Sequence, residues 1–85
     1  MNQDVIIKKT FGRACKYFRE KKNLSQEKFS LFIGMDRTYY ASVELGKRNI
    51  SIINIQKICK GFDIPMSELF KIYESYIKEE SNAGL

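Results

Sequence analysis

Between Asp4 and Lys22 the apolar residues Ile7, Phe11, Ala14, Cys15 and Phe18 return at steps of three and four, and Lys8, Lys9, Arg13, Lys16 and Arg19 fill the remaining faces. That period predicts an amphipathic helix. Asn23 can take the left-handed conformation that closes it, after which Leu24 re-enters the core. Ser25 is a cap for a second helix over about Gln26–Ile33, and Gly34 accepts the positive φ of a sharp turn. Met35 packs inward beside it, and Asp36 caps a third helix that runs to about Leu45 and ends at Gly46. Ser51 caps a fourth helix through about Lys60, with Ile52, Ile55, Ile58 and Cys59 toward the core and Gly61 and Phe62 marking its exit. Pro65 suits the first turn of a fifth helix, whose Leu69, Phe70, Ile72, Tyr73, Tyr76 and Ile77 form a wide apolar stripe. Ser81–Leu85 read as a frayed tail. No strand pattern, repeat or linker is visible, so the expected fold class is all-α, with five helices.

Composition sets the scale. A chain of 85 residues makes one domain spanning 1–85, with a core over about 4–80, because a chain this small buries little more than ~60% of its unfolded surface. Its 44% hydrophobic and 29% charged residues are those of an ordinary folded protein. The net charge of +5 is unevenly placed: residues 1–50 hold eleven Lys/Arg against five Asp/Glu, and residues 51–85 four against five. A basic half joined to a neutral half fits a polyanion-binding face coupled to a segment with another task, although a solvated basic surface has the same composition. Cys15 and Cys59 fall on apolar faces and read as small core residues. With no His in the chain, two thiols make no ordinary zinc site, so neither metal nor cofactor is expected. No signal peptide or membrane span is visible, and the expected compartment is the cytoplasm.

Residues 25–45, SQEKFSLFIGMDRTYYASVEL, hold two short helical patterns about a glycine, the layout of a helix-turn-helix whose second helix enters the major groove of DNA. Arg37, Thr38, Tyr39 and Ser42 then form the candidate base-reading surface. The Arg37 guanidinium can pair bidentately with the O6 and N7 edge of guanine. Thr38 can hydrogen-bond a base or lay its methyl on thymine, Ser42 lies one turn later on the same face, and Tyr39 offers a hydroxyl and an apolar ring. The alternatives are a phosphate clamp for Arg37 and solvated hydroxyls for the others.

At FGRACKYFREKKNLSQEKFS and GMDRTYYASVELGKRNIS the chain resembles the five-helix DNA-binding domains of lambdoid phage repressors and Cro-like regulators, over about residues 11–70. Its DRTY opening to helix three looks most like the controller proteins of restriction-modification systems. The resemblance implies an ion pair between Arg19 and Glu44, phosphate contacts from Gln26 and from the loop residues Lys47, Arg48 and Asn49, and core places for Tyr40 and Val43. Ser30 stands where many relatives have Ala, Ile50 where Pro is common, and Leu31 and Phe32 where polar residues are usual. Leu31 and Phe32 are expected to be covered locally, for example by the N-terminal arm, with a partner site as the other reading.

Such regulators usually act as two-fold dimers on symmetric double-stranded operators, with paired helices about 34 Å apart. The fifth helix, about 66–80, is the expected interface, through Phe70, Tyr73, Tyr76 and Ile77, with a fully buried core helix as the other reading. With no sensory domain in view and no small-molecule ligand expected, control would follow concentration, by autorepression or by assisting RNA polymerase as a second partner. An enzyme is disfavoured by the lack of a histidine base or a phosphate-binding glycine loop. The alternative function is an antitoxin or other protein-binding module on the same fold.

Overall fold

The computed structural model describes residues 2–83. Among them are five α-helices: α1 Gln3–Lys21, α2 Gln26–Ile33, α3 Arg37–Glu44, α4 Ile52–Phe62 and α5 Met66–Ala83. Local chemistry fixes the starts. Asn2, Ser25, Asp36 and Ser51 each accept a backbone N–H of the following first turn through their side-chain oxygens, at 2.7, 3.1, 2.9 and 3.2 Å. These bonds satisfy donors that a helix start would otherwise leave orphaned. Asn23 and Gly34 reverse the chain through left-handed conformations, at φ 57° and 67°.

The core lies where the five helices converge. Phe29 of α2 stacks on Phe62 of α4 with ring centroids 4.5 Å apart, and Tyr40 of α3 meets the edge of Phe29 at 5.0 Å. Ala14, Cys15, Ile58, Cys59 and Leu69 complete this buried interior. Burial raises the Cys15 thiol well above its ordinary value, with Glu44 and Cys59 adding to the rise, and pushes Cys59 up to about 11. Both are protonated at neutral pH and serve as small apolar residues.

Gly12 lets α1 press directly against α3. A Cβ there would collide with the backbone oxygens of Val43 and Glu44.

Four details differ from the pattern read along the chain. α4 does not stop at Lys60: Gly61 is a buried helical residue whose Cβ would strike the Ile33 side chain, and Asp63 makes the left-handed turn instead, at φ 59°. Ile52 is 64% exposed, because it opens α4 before the helix reaches the cover of its neighbours. Ile7 likewise emerges from the core at the N-terminal end of α1. The last helix extends through Ala83, so Ser81 to Ala83 are helical and not a tail, while Gly84 and Leu85 lie outside the described residues.

Candidate nucleic-acid interface

An eight-residue helix such as α3 is too short to be stable alone and is held by what it packs on. Tyr40 and Val43 face the core, as expected. Glu44, at its end, is the anchor. Its two carboxylate oxygens accept from Arg19 Nε at 2.7 Å and Arg19 Nη2 at 3.0 Å, from Gln26 Nε2 at 2.9 Å, and from the Tyr40 hydroxyl at 2.6 Å. Arg19 Nη1 donates in addition to the Leu24 carbonyl at 2.7 Å. One carboxylate thus ties α1, α2 and α3 together, with the Glu44 side chain only 3% exposed.

Burial pushes the Glu44 carboxyl up, but hydrogen bonds from Arg19, Tyr40 and Gln26 outweigh it and leave it below the usual value. The same bond to Glu44 raises Arg19, while burial raises the Tyr40 hydroxyl. A buried ion pair offsets its desolvation only when its remaining lone pairs are satisfied, and here they are.

This arrangement redirects Gln26. Its amide, expected on phosphate, spends one N–H on Glu44, because the guanidinium leaves that carboxylate with acceptor capacity to spare. Arg37 and Thr38, on the first turn of α3, are exposed. The Arg37 guanidinium is restrained only by Glu27, 3.7 Å away in a pair that is largely solvated on both sides. Tyr39 is half-buried, and its hydroxyl accepts from Asn54 Nδ2 of α4 at 3.2 Å.

Ser42 is also engaged. Its hydroxyl donates to the Tyr39 carbonyl at 2.6 Å and accepts from Arg48 Nε at 2.8 Å, and the Arg48 guanidinium lies 5.1 Å from the Tyr39 ring centroid. Arg48 therefore sits against α3, while Lys47 and Asn49 extend from the loop as exposed side chains. The Asn54–Tyr39 and Arg48–Ser42 bonds lie beyond what the sequence pattern predicts. Both join residues on different segments, and no local spacing announces them.

The fifth-helix stripe is largely spent inside the molecule. Phe70 meets Phe11 at 6.1 Å, Tyr73 meets Phe70 at 6.0 Å, and Tyr76 lies against Tyr17 and beneath the Arg13 guanidinium, 3.8 Å from its ring centroid. Phe70, Tyr73, Tyr76 and Ile77 are all half-buried. On α4, Ile52 and, at 73%, Ile53 are exposed. Leu31 and Phe32, expected under local cover, are 76% and 70% exposed, because the N-terminal segment continues as α1 and does not fold over them. Among the described residues no group of acidic or cysteine side chains could hold a metal, and no helix is long and apolar enough to cross a membrane.

A helix-turn-helix family model matches residues 16–69. The control protein C.MunI from Mycoplasma sp. is 52% identical over 69 residues, covering 80% of this chain and 93% of the relative. C.BamHI from Bacillus amyloliquefaciens is 38% identical over 64 residues, covering 74% and 79%. Among solved structures, the restriction-modification controller C.AhdI from Aeromonas hydrophila superposes with a TM-score of 0.69 at 41% identity, over 72% of this chain and 92% of that one. The C.Esp1396I controller, solved as a tetramer on its natural 35 base-pair operator, superposes at 0.77 with 25% identity, over 84% and 93%.

The chain belongs to this helix-turn-helix family and, within it, to the restriction-modification controller proteins, DNA-binding regulators of transcription.

Proposed function

We propose that this protein binds a symmetric double-stranded operator as a homodimer, next to the genes of a restriction-modification system that include its own. The observation that carries this reading is a capped α3 whose leading side chains, Arg37 and Thr38, are exposed, Arg37 held only by a solvated pairing with Glu27, while its far end is locked by Glu44. Arg37 reads a guanine edge, and Thr38 reads a neighbouring base. Arg48, held against Ser42 and Tyr39, joins them at the reading face and is not confined to the flanking backbone. Lys47, Asn49 and the N-terminal amides of α2 grip phosphate, with the second N–H of Gln26 free to assist.

The dimer face assigned to α5 shifts toward α4. Ile52 and Ile53 of α4 stand exposed, between Ile50 and Ile55 in the chain, which line a cleft together with Ile7, Phe70 and Tyr73. Tyr73 remains part of the face, whereas Tyr76 is occupied by Tyr17 and Arg13. Control of its own synthesis by dimerisation and operator occupancy, in the cytoplasm and without catalysis, completes the proposal. Footprinting the purified protein on the DNA upstream of its own reading frame is the test. A protected, two-fold symmetric site is expected, and protection indifferent to sequence would reject operator recognition.

A further inference from the structure

The end of α2 presents its two large apolar side chains to solvent on a face that α3 does not share. Phe32 stands between two clefts that open toward the end of α4, with volumes of about 360 and 660 Å³. Both clefts reach Lys60 and Gly61. The smaller is completed by Ile33 and Lys57, the larger by Lys22, Leu24, Lys28 and Asp63. Gly61 forms a floor where no side chain would fit without displacing Ile33. Leu31 flanks Phe32 on the helix. The rim carries four exposed lysines against the single carboxylate of Asp63.

Three occupants compete for such a face. Nucleic acid would satisfy the lysines but set a phosphate backbone against Phe32 and Leu31, leaving two exposed apolar side chains without a partner. A second copy related by a two-fold axis would bring the same lysine cluster against itself, and like charges facing each other oppose association. A helix carrying apolar anchors on one stripe and carboxylates beside it satisfies both features, filling the clefts and pairing with the rim.

We propose that the α2–α4 face docks an acidic amphipathic helix of a different protein, its apolar anchors seated on either side of Phe32 and its carboxylates paired with Lys22, Lys28, Lys57 and Lys60. Phe32, Lys57 and Lys60 lie outside the surface assigned to DNA, so this inference stands or falls independently of operator recognition.

The test is a phage-displayed library of random peptides about four turns long if helical, panned on the full chain and counted again on Phe32→Ser and on Lys57→Glu with Lys60→Glu. All three side chains are exposed, so melting curves matching the parent are expected. Enriched peptides should carry Asp or Glu with apolar residues at helical i, i+3, i+4 and i+7 spacing. Phe32→Ser should weaken them about tenfold or more, the lysine reversals should abolish the preference for acid, and amide shifts on titration should centre on Leu31, Phe32 and Gly61. No enrichment, enrichment without acid, or equal binding to Phe32→Ser would overturn the proposal. So would loss of self-association by sedimentation in Phe32→Ser, which would make a second copy the occupant. Weakened binding of Phe32→Ser to random duplex DNA would assign the face to nucleic acid and reject it equally.

Discussion

Arg37 begins from a weak, exposed pairing with Glu27, so exchanging it for a desolvated bidentate contact with guanine sacrifices little. Arg37→Ala is expected to lose about 1–3 kcal/mol of discrimination at one base position, read as flattened preference there in a binding-site selection. Lys47→Ala should instead weaken all sequences alike and lower the salt slope by about one. Glu44 is of another kind. Replacing it with Ala strands the Arg19 guanidinium and leaves Gln26 and Tyr40 without their shared acceptor, a loss of about 3–5 kcal/mol, which a urea melt would register. Gly12→Ala should also destabilise, because the added methyl meets backbone carbonyls that no side-chain rotation can move aside. An unchanged melting temperature for that variant would contradict the close approach of α1 to α3.

At the scale of elements, the helices were legible because their caps are local. Ser25, Asp36 and Ser51 each precede an apolar periodicity and accept the N–H three residues on. Asp36→Ala should cost about 1 kcal/mol and loosen the first turn of α3, visible as faster amide exchange at Tyr39. The end of α4 departs from the local pattern, in which glycine ordinarily marks a helix terminus. Gly61 instead serves packing against Ile33, a tertiary demand that no local rule contains, and Asp63 takes the strained turn.

The same division runs through the site. Exposure of Arg37 and Thr38 follows from helical phase alone, whereas the Gln26–Glu44, Arg48–Ser42 and Asn54–Tyr39 bonds join side chains that meet only once the bundle has formed. The cover over Leu31 and Phe32 is undecided along the chain for the complementary reason: nothing in the order of residues says whether a neighbouring segment will lie over them.

For the molecule as a whole, the carboxyl of Glu44 links protonation to stability. Its folded pKa lies below that of the unfolded chain, so the stabilisation is present above the ordinary glutamate range and is lost as pH falls through the folded value. Acid titration followed by circular dichroism should show stability declining in that window, and Glu44→Gln should flatten the decline. Assembly should respond to α4 more than to the end of α5. Ile53→Lys is expected to shift sedimentation toward monomer and reduce operator affinity, whereas Ile77→Lys should have the smaller effect on both.

Because a single carboxylate fastens three helices at once, α3, if it reads DNA as proposed, has little freedom to tilt toward an imperfectly spaced groove. Adjustment then falls on the duplex, whose bending and twisting depend on its own base steps. Operators should therefore be ranked partly by how easily the untouched base pairs between half-sites deform, and substituting stiff steps there should weaken binding although no side chain reaches them.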